Sequence, residues 1–106
     1  MSETPEGFAL DQIWVVEAAY AADAAERRKA VRAEHLARVA ALRDAGVIIE
    51  VGGFSDMSGS LILLRADGEE EALAVVREDV YFKSGVWTGF RARTMGRVAR
   101  LDEIPD

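Results

Sequence analysis

The chain contains no cysteine. Disulfides, thiolate metal sites and a cysteine nucleophile are therefore excluded, and a reducing compartment suits it. There is one histidine, His35, so a zinc site built from several histidines of one chain is impossible and no metal is expected. No apolar run approaches the ~20 residues that cross a membrane; Glu17, Asp23 and Glu50 interrupt the greasiest stretches. The opening MSETPEGFAL is acidic and lacks the basic-then-apolar order of a signal peptide. The expectation is a soluble, cytoplasmic protein with no membrane partner. Basic residues are also in deficit, 13 against 19 acidic, for a formal charge of −6. That balance argues against non-specific nucleic-acid binding, even though Arg91, Arg93, Arg97 and Arg100 form a basic run near the C-terminus.

What remains is globular. Half of the 106 residues are hydrophobic and 30% are charged, which suits one compact domain with one core. Residues 1–11 read as a flexible arm, 12–101 as the domain and 102–106 as a tail. QIWVVEAAY, residues 12–20, is a strand signature apolar on both faces. A helix is expected over 24–45, with Asp23 and Glu26 resembling a capping box and Gly46 placed as a left-handed stop. Residues 47–54 and 60–66 read as the second and third strands. Asp67 is expected to cap a second helix over about 68–78, its first turn acidic as the helix dipole favours. Residues 79–85 read as a helical turn or loop, and the last strand runs from 86 to 101, bulged near Gly89 or Gly96.

Strand, helix, strand, strand, helix, strand is the split βαβ order of an α+β, ferredoxin-like fold: a four-stranded antiparallel sheet with two helices on one face. Its other face should be polar in a monomer. Here strands one and three are apolar on both sides, and the last sets Val86, Thr88, Phe90 and Ala92 on one face against Trp87, Arg91, Arg93 and Met95 on the other. Such a face marks an association surface, and a homodimer through the sheet is expected.

Along the first helix, Val31, Val39 and Leu42 form the apolar stripe at about 100° per residue, while Glu26, Arg38 and Asp44 are expected to face water. His35 projects within the stripe. Arg28 and Arg32 fall near the same meridian toward the N-terminus. Burying charge without partners is costly, so this pattern points to a pocket between helix and sheet lined by two guanidinium groups and an imidazole. Ordinary alternatives exist: a lone histidine on an apolar face is commonly a satisfied core residue, and both arginines could pair with acids of the second helix. Trp14 and Trp87 read as core or interface residues. Gly52-Gly53 lacks dinucleotide-binding spacing and reads as a site of close strand packing or a turn.

The segments RKAVRAEHLARVAALRDAG, VGGF, GSLILL and EDVYFKSGV together resemble the YciI-like family over roughly residues 12–98. The most specific blocks are Arg28-x3-Arg32-x2-His35-Leu36 and Asp79-x-Tyr81-x3-Gly85-Val86. The resemblance implies a ferredoxin-like fold, a dimeric α+β barrel and an active site built on a histidine–aspartate pair, here His35 and Asp79. Arg28, Arg32 and the Gly59-Ser60 start of strand three match family positions less specifically. Relatives in muconolactone metabolism act on small lactones. The family usually has proline after the aspartate; Val80 stands there instead, which frees the turn that places Asp79.

A carboxylate bonded to one imidazole nitrogen fixes the tautomer and leaves the other nitrogen to give or take a proton. Arg28 and Arg32 could hold a substrate carboxylate or an enolate-like charge, and Ser60 could donate a hydrogen bond. The expected function is a small dimeric enzyme of lyase or isomerase type, using His35 and Asp79 on a small acidic or lactone-type metabolite, without a cofactor. The alternative is a non-catalytic dimer that binds a small anionic molecule.

Overall fold

The structure, a computed structural model, describes residues 3–105. Strand β1 (Phe8–Tyr20) is followed by a short helix α1 (Ala24–Arg27), a 3-10 turn (Arg28–Ala30) and helix α2 (Arg32–Asp44). Strands β2 (Ile48–Gly53) and β3 (Gly59–Leu64), helix α3 (Glu69–Arg77), one-turn helix α4 (Val80–Lys83), strand β4 (Trp87–Arg100) and a 3-10 turn (Leu101–Glu103) complete the chain. The four strands form one antiparallel sheet in the order β2-β3-β1-β4. This is the α+β, ferredoxin-like architecture that the apolar periodicity implies.

The alternation of β1 decides which side of the sheet carries the core. Val16 and Ala18 bury with Ile62 and Leu64 of β3 and with Ala72, Leu73 and Val76 of α3. Ile13 and Val15, one residue out of phase, point to the opposite face with Leu61 and Leu63. Helix α2 ends as expected: Gly46 takes φ 78°, and Val47 and Gly46 donate to the carbonyls of Leu42 and Arg43. That pairing closes a helix through a left-handed residue that glycine adopts without a Cβ penalty.

Five local expectations are corrected. Helix 24–45 is not continuous: Val31 has φ −122° and ψ 0°, which divides α1 and the 3-10 turn from α2. The break lets Val31 pack against the core alongside the separate burial of Ala24, and such packing outweighs local propensity. The Asp23–Glu26 box does not form, because the Asp23 carboxylate is taken by Arg27 and that of Glu26 by Lys29. Gly68, not Asp67, occupies the cap position of α3, and the Glu71 carboxylate accepts from the Asp67 amide. The strand starts at Phe8, so residues 8–11 of the expected arm pair with β4; residues 1 and 2 of that arm and residue 106 of the tail lie outside the described residues. Finally, the bulge expected near Gly89 is present, Tyr20 pairing with Trp87 while Ala19 pairs with Gly89, and it corrects the facing of Trp87. The extra residue, Thr88, is a bulge beside Gly89 that returns Trp87 to the core side rather than the open face.

The extended end of the sheet is held by charge. Asp11, only 5% exposed, accepts two bonds from Arg65 at 2.8 and 2.9 Å and one from Arg97 at 3.1 Å. Hydrogen bonding from Arg65, opposed by burial and reinforced by Arg97, holds this carboxyl below the usual range. Arg93 pairs with Glu17 and Arg97 also reaches Glu103. Much of the basic run of β4 is thus neutralised within the chain.

At Gly59 the strands approach so closely that a Cβ would overlap the Ala18 carbonyl oxygen. Gly59→Ala is therefore expected to cost at least about 2 kcal/mol through strand displacement. Urea unfolding checks this; an unchanged midpoint would mean that β1 and β3 separate there without penalty.

Candidate functional site

His35 sits in the first turn of α2 and is 6% exposed; Asp79, which caps α4, is 1% exposed. His35 Nδ1 and Asp79 Oδ1 are 2.7 Å apart. The same oxygen accepts the Tyr81 amide at 2.9 Å, while Oδ2 accepts from Arg38 Nη1 at 3.0 Å. Arg38 also donates to the Val75 carbonyl at 2.7 Å, satisfying a carbonyl left open in the last turn of α3. Burial opposes ionisation of Asp79. The bonds from His35, the Tyr81 amide and Arg38 outweigh it and hold the carboxyl below its usual range.

An ionised carboxylate only accepts hydrogen bonds, so Nδ1 of His35 carries the proton and a neutral ring has its lone pair on Nε2. The ring is fixed in other directions too. Tyr81 stacks on it at 3.6 Å with planes 8° apart, and Trp87 meets it edge-on at 5.4 Å.

Val80 does not displace Asp79. The aspartate has φ −73° and ψ 143°, the extended region that a following proline would impose. The capping bond to the Tyr81 amide supplies the constraint instead.

His35 opens onto a cavity of about 430 Å³ lined also by Arg28, Arg32, Tyr20, Ser60, Tyr81 and the Gly52–Phe54 segment. This volume is in the range that holds a small metabolite. Four of the five residues expected at a site, Arg28, Arg32, His35 and Ser60, line this one cavity; Asp79 lies behind the imidazole. Arg28 reaches the cavity from the 3-10 turn rather than along a continuous helix. Neither Arg28 nor Arg32 has a carboxylate partner among the described residues, whereas Arg27, Arg38, Arg43, Arg65, Arg93 and Arg97 are paired. Ser60 is buried with its hydroxyl between Trp87 Nε1 and Tyr20 Oη.

Over residues 13–95 the chain matches the YCII-related domain. The chain belongs to the YCII-related family. Among solved structures, this YCII-related chain is similar to 5-chloro-2-hydroxyhydroquinone dehydrochlorinase (TftG) from Burkholderia phenoliruptrix AC1100, determined in complex with 2,5-dihydroxybenzoquinone. The TM-score is 0.64 at 21% identity, covering 76% of this chain and 90% of that one. At that identity the likeness is one of fold. No curated protein matches the chain. Among the described residues, no helix is long and apolar enough to cross a membrane.

Sequence reasoning missed three parts of this YCII-related site. Arg38, expected in water, is drawn inward by Asp79 and Val75; its spacing of three residues from His35 was the available signal. Tyr81 stood in the recognised block without a role and proves to be the stacking partner of His35. Tyr20 comes from the end of β1, far from both blocks, and nothing local marks it.

Asp79→Asn should destabilise the protein by roughly 3 kcal/mol at neutral pH, because Arg38 loses its buried counter-charge and the His35 Nδ1–H its anionic acceptor. The native pKa of Asp79 lies below the unfolded value near 3.8. Its contribution is therefore complete above that value and is lost as pH falls through the lower native one. Urea unfolding of both proteins at pH 7 and under acid should show the gap closing below about pH 4; a gap that stays constant contradicts an ionised Asp79 as its source.

Proposed function

We propose that this chain is a small enzyme that moves a proton on an anionic, carbonyl-bearing metabolite, with His35 as acid/base and Asp79 as the residue that orients it. One observation carries the reading: a buried His35–Asp79 bond of 2.7 Å at Nδ1, with His35 lining a cavity shared by two guanidinium groups that have no carboxylate partner among the described residues. With Nδ1 protonated, Nε2 takes a proton from a carbon next to a carbonyl. The C–H electron pair becomes a carbon–carbon double bond, the carbonyl π pair moves onto the oxygen, and Arg28 or Arg32 stabilises the resulting enolate charge. Return of the proton to another carbon completes an isomerisation; loss of a leaving group from the neighbouring carbon completes an elimination. The structural neighbour is a dehydrochlorinase with a dihydroxybenzoquinone in its complex, and hydroxyquinols join small lactones and keto acids as the substrates to test.

The proposed assembly is a homodimer through the sheet face away from the helices. Leu61 and Leu63, half-buried on that face, and the exposed Met95 support it, beside the Arg93–Glu17 ion pair.

In a screen of lactones, keto acids and hydroxyquinols, His35→Gln should lower kcat at least about 100-fold while circular dichroism stays native. Arg28→Gln and Arg32→Gln should mainly raise KM for anionic substrates. Ligand binding with no turnover across the panel would favour the binding-module alternative. For the assembly, sedimentation equilibrium should give a dimer for the native chain and a monomer for Leu63→Glu; a monomeric native chain removes the dimer.

A further inference from the structure

We propose that Tyr20 is a ligand-reading hydrogen-bond donor of this cavity, aimed at a carbonyl or enolate oxygen of the bound molecule. The inference rests on the anionic carbonyl reading above and adds a residue to it.

The argument follows one chain of hydrogen bonds. Trp87 Nε1 can only donate, and it donates to Ser60 Oγ at 3.1 Å. Ser60 is 3% exposed, and among the described residues its other partner is Tyr20 Oη at 3.0 Å. If Tyr20 donated to Ser60, the proton of this buried serine would have no acceptor among the described residues, at the cost of an unmade hydrogen bond. Ser60 therefore donates to Tyr20, and the phenolic proton of Tyr20 must turn elsewhere. Tyr20 lines the cavity that His35, Arg28 and Arg32 share, so its free proton is available to an acceptor there. The buried indole thus sets the polarity of a hydroxyl two bonds away.

A second observation concerns position. A Cβ at Gly53 would lie 2.8 Å from Tyr20 Oη and 3.8 Å from its Cζ. The phenol lies over a backbone position with no side chain, and any larger residue would push the hydroxyl aside. Gly53 is open to no other close contact, its next neighbour being the Gly59 carbonyl at 4.0 Å. Together these features describe a donor whose direction is imposed by Trp87 and Ser60 and whose seat is kept clear by Gly53. The ligand chemistry they fit has negative charge at Arg28 and Arg32, an ionisable C–H or O–H at His35 and an acceptor oxygen at Tyr20.

The test uses 2,5-dihydroxybenzoquinone, an acidic, coloured diketone, as the probe. Equilibrium titration of the native protein, Tyr20→Phe and Gly53→Ala follows Trp fluorescence and the visible band of the quinone. Loss of a hydrogen bond to a charged acceptor should raise Kd about tenfold or more in Tyr20→Phe, with a smaller rise in Gly53→Ala, whose hydroxyl is displaced but present. The band of the saturated Tyr20→Phe complex should also differ from that of the native complex. A merely structural role for Tyr20 would weaken binding without moving that band. Equal Kd and an identical band in Tyr20→Phe overturn the proposal and leave the acid/base reading of His35 intact. Failure of the native protein to bind the probe overturns both.

Discussion

The carboxylate of Asp79 is the point on which the site depends. Desolvating a carboxylate costs several kcal/mol unless donors surround it, and this one is 1% exposed. Its donors come from two helices: the imidazole of His35 and the guanidinium of Arg38 from α2, and the Tyr81 amide from α4. Arg38 continues the linkage to the last turn of α3. Displacing any one of these helices would leave a buried charge short of a partner, so their relative placement and the plane of the imidazole are settled together. The stacked Tyr81 and the edge of Trp87 then close off ring rotation.

The cavity arises from the same arrangement. One turn after His35, α2 presents Val39 to the interior, but its first turn and the preceding 3-10 turn bring arginines over a part of the sheet where β2 ends in glycines. Among the described residues most arginines are matched by carboxylates; Arg28 and Arg32, at the cavity, are not. Two guanidinium groups without a carboxylate partner among the described residues thus face the cavity, while the neutralised end around Asp11 holds the long β1–β4 hairpin together.

Much of this architecture could be read from patterns local to the chain. The order of six elements followed from period-2 and period-3.6 apolar spacing, and the stop at Gly46 from its place after the helix. Local signals failed where two choices compete for one group. Asp23 has the identity of a cap but lies four residues before Arg27, and the ion pair takes it. Val31 fits a helix by spacing, yet the chain breaks there so that it and Ala24 both reach the core. The bulge near Gly89 was legible, but that its extra residue, Thr88, reverses the facing of Trp87 needed the register of β1.

The site divides along the same line. The residue types and spacings of Arg28, Arg32, His35 and Asp79 are carried by two short segments, so the sequence by itself determined which groups were available and that a helix would present Arg32 and His35 on one side. Only the tertiary structure decided that Arg38 turns inward, that Tyr81 lies on the imidazole and that Tyr20 meets Ser60 and Gly53. Those contacts join residues far apart in the chain. The physical reason is that periodicity reports the direction of a side chain from its own backbone, whereas the partner of a buried polar group is set by which other elements arrive beside it. Desolvation makes that partner obligatory, but only packing supplies it.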